Sequence, residues 1–120
     1  MNATDLEREF AVRAVPYSGG LLLLRPDDAL ALVRRSAQVG VPILGVDGMF
    51  LRGLGVELPI NHIADFSAAV ERGDGCWGPA VAFIEERRKL GMVFEVVLGA
   101  SNLPAGNEAF KVTRPEGIAG

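Results

Sequence analysis

The stretch that decides the fold is LLLLRPDDALALVRRSAQVGVPILGVDG, residues 21–48. Leu21 to Arg25 is an aliphatic run that stops at a proline, the pattern of a short buried strand. Asp27 and Asp28 follow, placed to cap a helix and to favour its positive end. Leu30, Val33 and Ala37 then recur at helical spacing, and Ala29 and Leu32 widen the stripe. Arg34 and Arg35 lie late, where the helix dipole prefers cations. Gly40 sits where a left-handed cap belongs, and Pro42 blocks continuation. Ile43, Leu44 and Val46 read as a second strand ending at the turn pair Asp47-Gly48.

The same logic recurs downstream. Pro79 is a good first helical residue, Ala80, Phe83, Ile84 and Arg87 line one face, and Glu85 and Lys89 form a favourable pair. Leu90 closes this helix and Gly91 caps it. Met92 to Leu98 reads as a strand, with Phe94, Val96 and Leu98 on one side and Val93, Glu95 and Val97 on the other. Common architecture explains the likeness of the two units without a duplication.

Between the units, Asp47-Gly48 turns a hairpin into Met49, Phe50 and Leu51. Gly53 and Gly55 loosen the chain, Ser67 to Glu71 is a short helical turn, and Arg72 to Gly78 is a loop. At the start, Thr4 or Asp5 caps a short helix through Leu6 and Phe10, followed by a strand to Val15. Phe110 to Thr113 has the pattern of an edge strand. The reading is one domain over 1–120, with an N-terminal extension at 1–16 and an irregular C-terminal tail at 99–120. Its class is α+β, a ferredoxin-like βαββαβ sandwich with helices on one face of a mostly antiparallel sheet. A small three-layer α/β domain is the alternative.

Composition limits the function. The chain has 120 residues, 49% apolar and only 7% aromatic, with a formal net charge of -3. Mean hydropathy is +0.27 and the isoelectric point is about 5.1. Such a chain has the material for a packed core and lacks the basic surface of a nucleic-acid binder. One Cys and one His leave no disulfide framework and no Cys/His zinc cluster within the chain. The expectation is a cytoplasmic protein with no export signal, no membrane span and no cofactor.

Few residues offer chemistry. His62 and Asp65 lie three apart, one helical turn, and Asp47 ends a strand. If they converge, carboxylates and an imidazole make an acid/base group or part of a metal site. Asp47 as turn chemistry and His62 with Asp65 as a surface pair is the plainer account, and no metal site is assigned. Cys76 precedes Trp77 in a glycine-rich loop, where helix amides can acidify a thiol. A small buried thiol is the plainer account there too. Trp77 either packs the core or anchors a partner. Gly53-Leu54-Gly55 lacks the rest of a dinucleotide fingerprint, and Asp74 in Gly73-Asp74-Gly75 would repel phosphate, which argues against nucleotide binding.

The segments VPILGVDGMFL, HIADFS and FEVV, in that order, resemble those of small uncharacterised bacterial proteins of about this length. Some of those proteins are thought to be immunity partners in toxin systems. The resemblance implies a protein-neutralising role and carries over no catalytic or binding residue. With the acidic balance, it leads to the expectation of a non-catalytic protein-binding domain that takes a basic partner through Asp47, His62, Asp65, Asp74 and Trp77. A small enzyme using Asp47, His62 and Asp65, and a self-associating domain that forms a homodimer, are the other two readings.

Overall fold

The long helix forms as its sequence dictates. In a computed structural model that describes residues 1–17, 19–53 and 55–100, helix α2 covers Pro26–Val39, with proline in the first turn and Gly40 as a left-handed cap at φ 78°. Its stripe of Ala29, Leu30, Leu32, Val33 and Ala37 is buried. Asp27 and Asp28 occupy the first turn without capping it through a side-chain hydrogen bond. Asp28 instead pairs with Arg13 at 3.7 Å, and Asp27 pairs with Arg88.

Helix α1 (Ala3–Phe10) is capped by Asn2, not by Thr4 or Asp5. Asn2 and Asp5 form a reciprocal capping box. A 3₁₀ turn, Ala11–Arg13, stands where a strand was expected. Leu6 and Phe10 are buried in the main core, and Val15 is buried on the other side of the sheet.

The centre of the sheet is one strand, β1 (Ile43–Arg52). It runs straight through Asp47-Gly48. An Asp-Gly hairpin turn needs positive φ at its central residues, and Gly48 is not among the glycines with positive φ. Ladders on both edges hold the backbone extended here: Asp47 lies opposite Glu95 on one side and Ile63 on the other. The chain reverses instead beyond Arg52, where Gly53 takes φ 56° and leads into β2 (Gly55–Glu57).

Two more strands pair with β1, both antiparallel: β3 (Ile63–Asp65) and β4 (Val93–Leu98). A 3₁₀ turn, Ile60–His62, leads into β3, and helix α3 (Ser67–Arg72) follows it. Helix α4 spans Trp77–Arg87, so it starts before Pro79 and stops before Leu90. Glu85 therefore pairs with Arg88 at 2.9 Å, while Lys89 lies beyond the helix.

The fold is α+β, with helices packed on an open antiparallel sheet. The segment expected as the first strand, Leu21 to Arg25, contributes one bridge, Leu24 to Phe94. Its amide and carbonyl exchange bonds with Phe94 at 2.9 and 2.8 Å. Pro26 starts α2 two residues later, which leaves no chain to extend the pairing. Strand β4 pairs directly with β1, and the hairpin partner of β1 is β2.

Strand alternation sorts the core into two sides. One side packs α1, α2 and α4 against Val46, Phe94 and Val96 in a cluster that includes Leu6, Phe10, Leu30, Val33, Trp77 and Ile84. The other side carries a smaller cluster of Val15, Leu23, Met49 and Val93. Leu23 and Leu24 are adjacent and enter different clusters, as an extended segment requires. The expected edge strand at Phe110 to Thr113 lies outside the described residues.

Candidate functional site

The small cluster covers only one end of the second sheet face. Beyond it a groove of about 300 Å³ opens, lined by the apolar Leu44, Ile63 and Val97 and the polar Asp47, Asp65 and Ser67. Ile63 and Val97 stay 42% and 37% exposed, enough for a partner to touch. Gly45 forms part of the floor because β3 passes very close. A Cβ at that position would meet the Ala64 carbonyl oxygen at 2.7 Å.

Asp47 and Glu95 face each other across the β1–β4 ladder. Directly opposed side chains in such a ladder are about 4.5–5.5 Å apart at Cβ, and like charges there repel. Burial pushes the Asp47 carboxyl above its usual range. Burial also pushes up Glu95, with further pushes from the charges of Asp47 and of Glu7 on α1. Among the described residues, no ion pair joins Asp47 or Glu95 to a base, although eight ion pairs stud the rest of the surface. The face therefore holds two carboxyl groups without a basic partner among the described residues, beside exposed apolar surface.

Asp65 has a local role as well. Its Oδ1 accepts from the Ser67 amide at 2.9 Å and the Ser67 hydroxyl at 2.6 Å, which fixes the entry into α3. Those bonds hold its carboxyl below the usual range, so Asp65 is an anion at neutral pH.

His62 is not part of this groove. Arg87 of α4 donates from Nε to His62 Nδ1 at 3.0 Å, so a ring proton sits on Nε2. Arg87 also lies over the Phe83 ring at 3.7 Å and donates to the Phe83 carbonyl at 3.1 Å. The imidazole is thus drawn toward the helix layer, while Asp47 and Asp65 line the groove on the opposite face. The three-residue acid/base or metal site considered from sequence is not assembled. Among the described residues, no group of three or more His, Cys, Asp and Glu side chains is placed to hold a metal ion.

Two other expected contacts change character. Trp77 has no exposed surface, and its indole N–H donates to the Val41 carbonyl at 3.0 Å. It packs the core in α4 and is not a loop anchor for a partner. Asp74 sits past the end of α3 and pairs with Arg72 at 2.8 Å, away from the groove residues. Cys76 is buried, accepts from the Ile43 amide at 3.2 Å, and has its thiol pushed up by burial, the opposite of an activated nucleophile.

Glu95 was not singled out from sequence. The signal was present: a carboxylate at the centre of VFEVVL, on the strand face away from Phe94 and Val96. Which residue it would oppose depended on register. No family model matches the chain, and no curated protein matches it. Among the described residues, no helix is long and apolar enough to cross a membrane.

Proposed function

We propose that the chain is a non-catalytic protein-binding domain that receives a basic partner on the open face of its sheet. The role is that of an immunity-type inhibitor, which neutralises a toxin by covering it. One observation carries the reading: Asp47 and Glu95 are opposed in register, unpaired with any base among the described residues, and bordered by exposed apolar side chains. A Lys or Arg from a partner removes their repulsion, and Ile63 and Val97 gain cover at the same time. A twofold contact between two such faces brings the acidic pairs together, so charge favours a foreign basic partner over a second copy. A cytoplasmic setting suits the single cysteine, which is a free thiol.

Affinity capture with the wild-type chain and with a double Asp47→Asn, Glu95→Gln variant tests the proposal. The expected result is a protein of high isoelectric point, identified by mass spectrometry, held by the wild type at low salt and lost by the variant. Equal retention by both chains, or an acidic partner, sinks it.

A further inference from the structure

Every backbone amide and carbonyl in a sheet needs a partner or water, and two of the three residues of β3 turn theirs away from β1. It pairs with β1 as Gly45 with Asp65, Val46 with Ala64, and Asp47 with Ile63. In the same register, the Phe66 amide donates to the Leu44 carbonyl at 2.7 Å. Hydrogen-bonded and non-bonded pairs alternate along an antiparallel ladder. Leu44–Phe66 and Val46–Ala64 are therefore the bonded pairs. Ala64 turns its amide and carbonyl toward β1, and Ile63 and Asp65 turn theirs away from the sheet.

No strand among the described residues pairs with that outer edge. Both residues are exposed. Exposed edges are commonly blunted by shortness, charge, Pro or a bulge; Ile-Ala-Asp is short and has no Pro, Lys or bulge, and its one charge is negative. What it carries is a carboxylate, which repels an acidic strand and attracts a basic one. The groove with Asp47 lies on the same side as the Ile63 and Asp65 side chains.

Resting on the acidic-face reading above, we infer that β3 is the attachment edge: an extended, basic segment of a partner adds to it as a fifth strand. Its backbone pairs with Ile63 and Asp65, and a Lys or Arg at every second position projects over the groove. Strand spacing fixes the reach. The added backbone lies about 4.8 Å from β3 and about 10 Å from β1. A basic side chain opposite Asp65 meets it directly, and a neighbouring one extends toward Asp47. Charge selects the partner, and the bare edge sets its conformation.

The probes are a blocked peptide of alternating Lys and Val, the same peptide methylated on the amide nitrogens that would face β3, and an alternating Glu and Val control. Calorimetry and amide exchange are read on the whole chain. Strand addition predicts saturable binding of the Lys peptide, about tenfold weaker in the Asp47→Asn, Asp65→Asn double variant. It also predicts slowed exchange at Ile63 and Asp65, and loss of binding on methylation. Asn at position 65 keeps an acceptor for Ser67, so the start of α3 survives the change.

Charge-dependent binding that tolerates methylation and leaves those two amides unprotected overturns strand addition while the acidic-face reading stands. Equal binding of the Lys and Glu peptides, or binding of neither, overturns both. A chain that dimerises alone, with Ile63 and Asp65 protected, gives the edge to a second copy and overturns the inference.

Discussion

The two faces of β1 are built from one strand and meet opposite fates. On one face, Val46 joins Trp77, Ile84 and Phe94 under α1, α2 and α4, and these side chains are removed from water. On the other, Met49 is sealed by Val15, Leu23 and Val93, but Asp47 and its neighbours lie open a few residues away. Alternation alone makes two faces, and the cover laid over each decides what it does. The helix-covered face stabilises the fold, and the half-covered face keeps charge and apolar surface available.

The sharpest way to break this contrast is to remove a large side chain from the covered face. Trp77→Ala should cost about 3–5 kcal/mol in urea unfolding, because it leaves a cavity and an unpaired Val41 carbonyl. A loss below about 1 kcal/mol would show that this side is loosely packed and would erase the distinction.

Gly45→Ala probes the floor of the groove. The new Cβ would fall 2.7 Å from the Ala64 carbonyl oxygen, which is backbone and cannot swing aside. The expected cost is about 1–3 kcal/mol, with faster amide exchange confined to β3 and the start of α3. Unchanged exchange there would mean that β3 is not held against β1 as described.

The smallest effect has the opposite sign. Asp47 and Glu95 have their carboxyls raised in the folded state from 3.8 and 4.5. Between those values and the raised ones, the native state binds more protons than the unfolded state. This contribution is therefore fully present below the ordinary carboxylate range and is lost as pH rises through the raised values. Glu95→Gln should be more stable than wild type at pH 7 by roughly 0.2–1 kcal/mol, with the gain shrinking in acid. A destabilised variant at pH 7 would show that Glu95 has a favourable partner and that the face is not under charge strain.

Local features were legible wherever they depended on near neighbours. The stripe of α2 and its Gly40 stop came through because each acts within a turn or two of the chain, whereas Pro26, read as the end of a strand, opens the helix in place of an Asp27 or Asp28 cap. Strand β4 was legible from its aliphatic alternation. Asp47-Gly48 misled because its turn propensity is weak beside two flanking ladders, which together fix an extended backbone. Trp77 looked like a loop residue because Gly75 and Gly78 surround it, yet burial of its ring beside Val41 starts the helix earlier.

The candidate site was half visible. Asp47 and Asp65 were named from sequence, but so was His62, because residue spacing cannot tell which side of a sheet a side chain takes. A one-residue change of register reverses that side. Arg87, held over the Phe83 ring, draws His62 to the helices, and β4 brings Glu95 to Asp47.

By itself, then, the sequence determined the class: an apolar, near-neutral chain whose helix stripes and strand alternation require one α+β core. Those signals are local, set by side-chain periodicity and by caps a few residues away. Long-range strand pairing is what runs Asp47-Gly48 straight, sets Asp47 against Glu95 and leaves β3 with a bare edge among the described residues. Each of these rests on pairing between residues far apart in the chain, and such pairing has no signature in either segment alone.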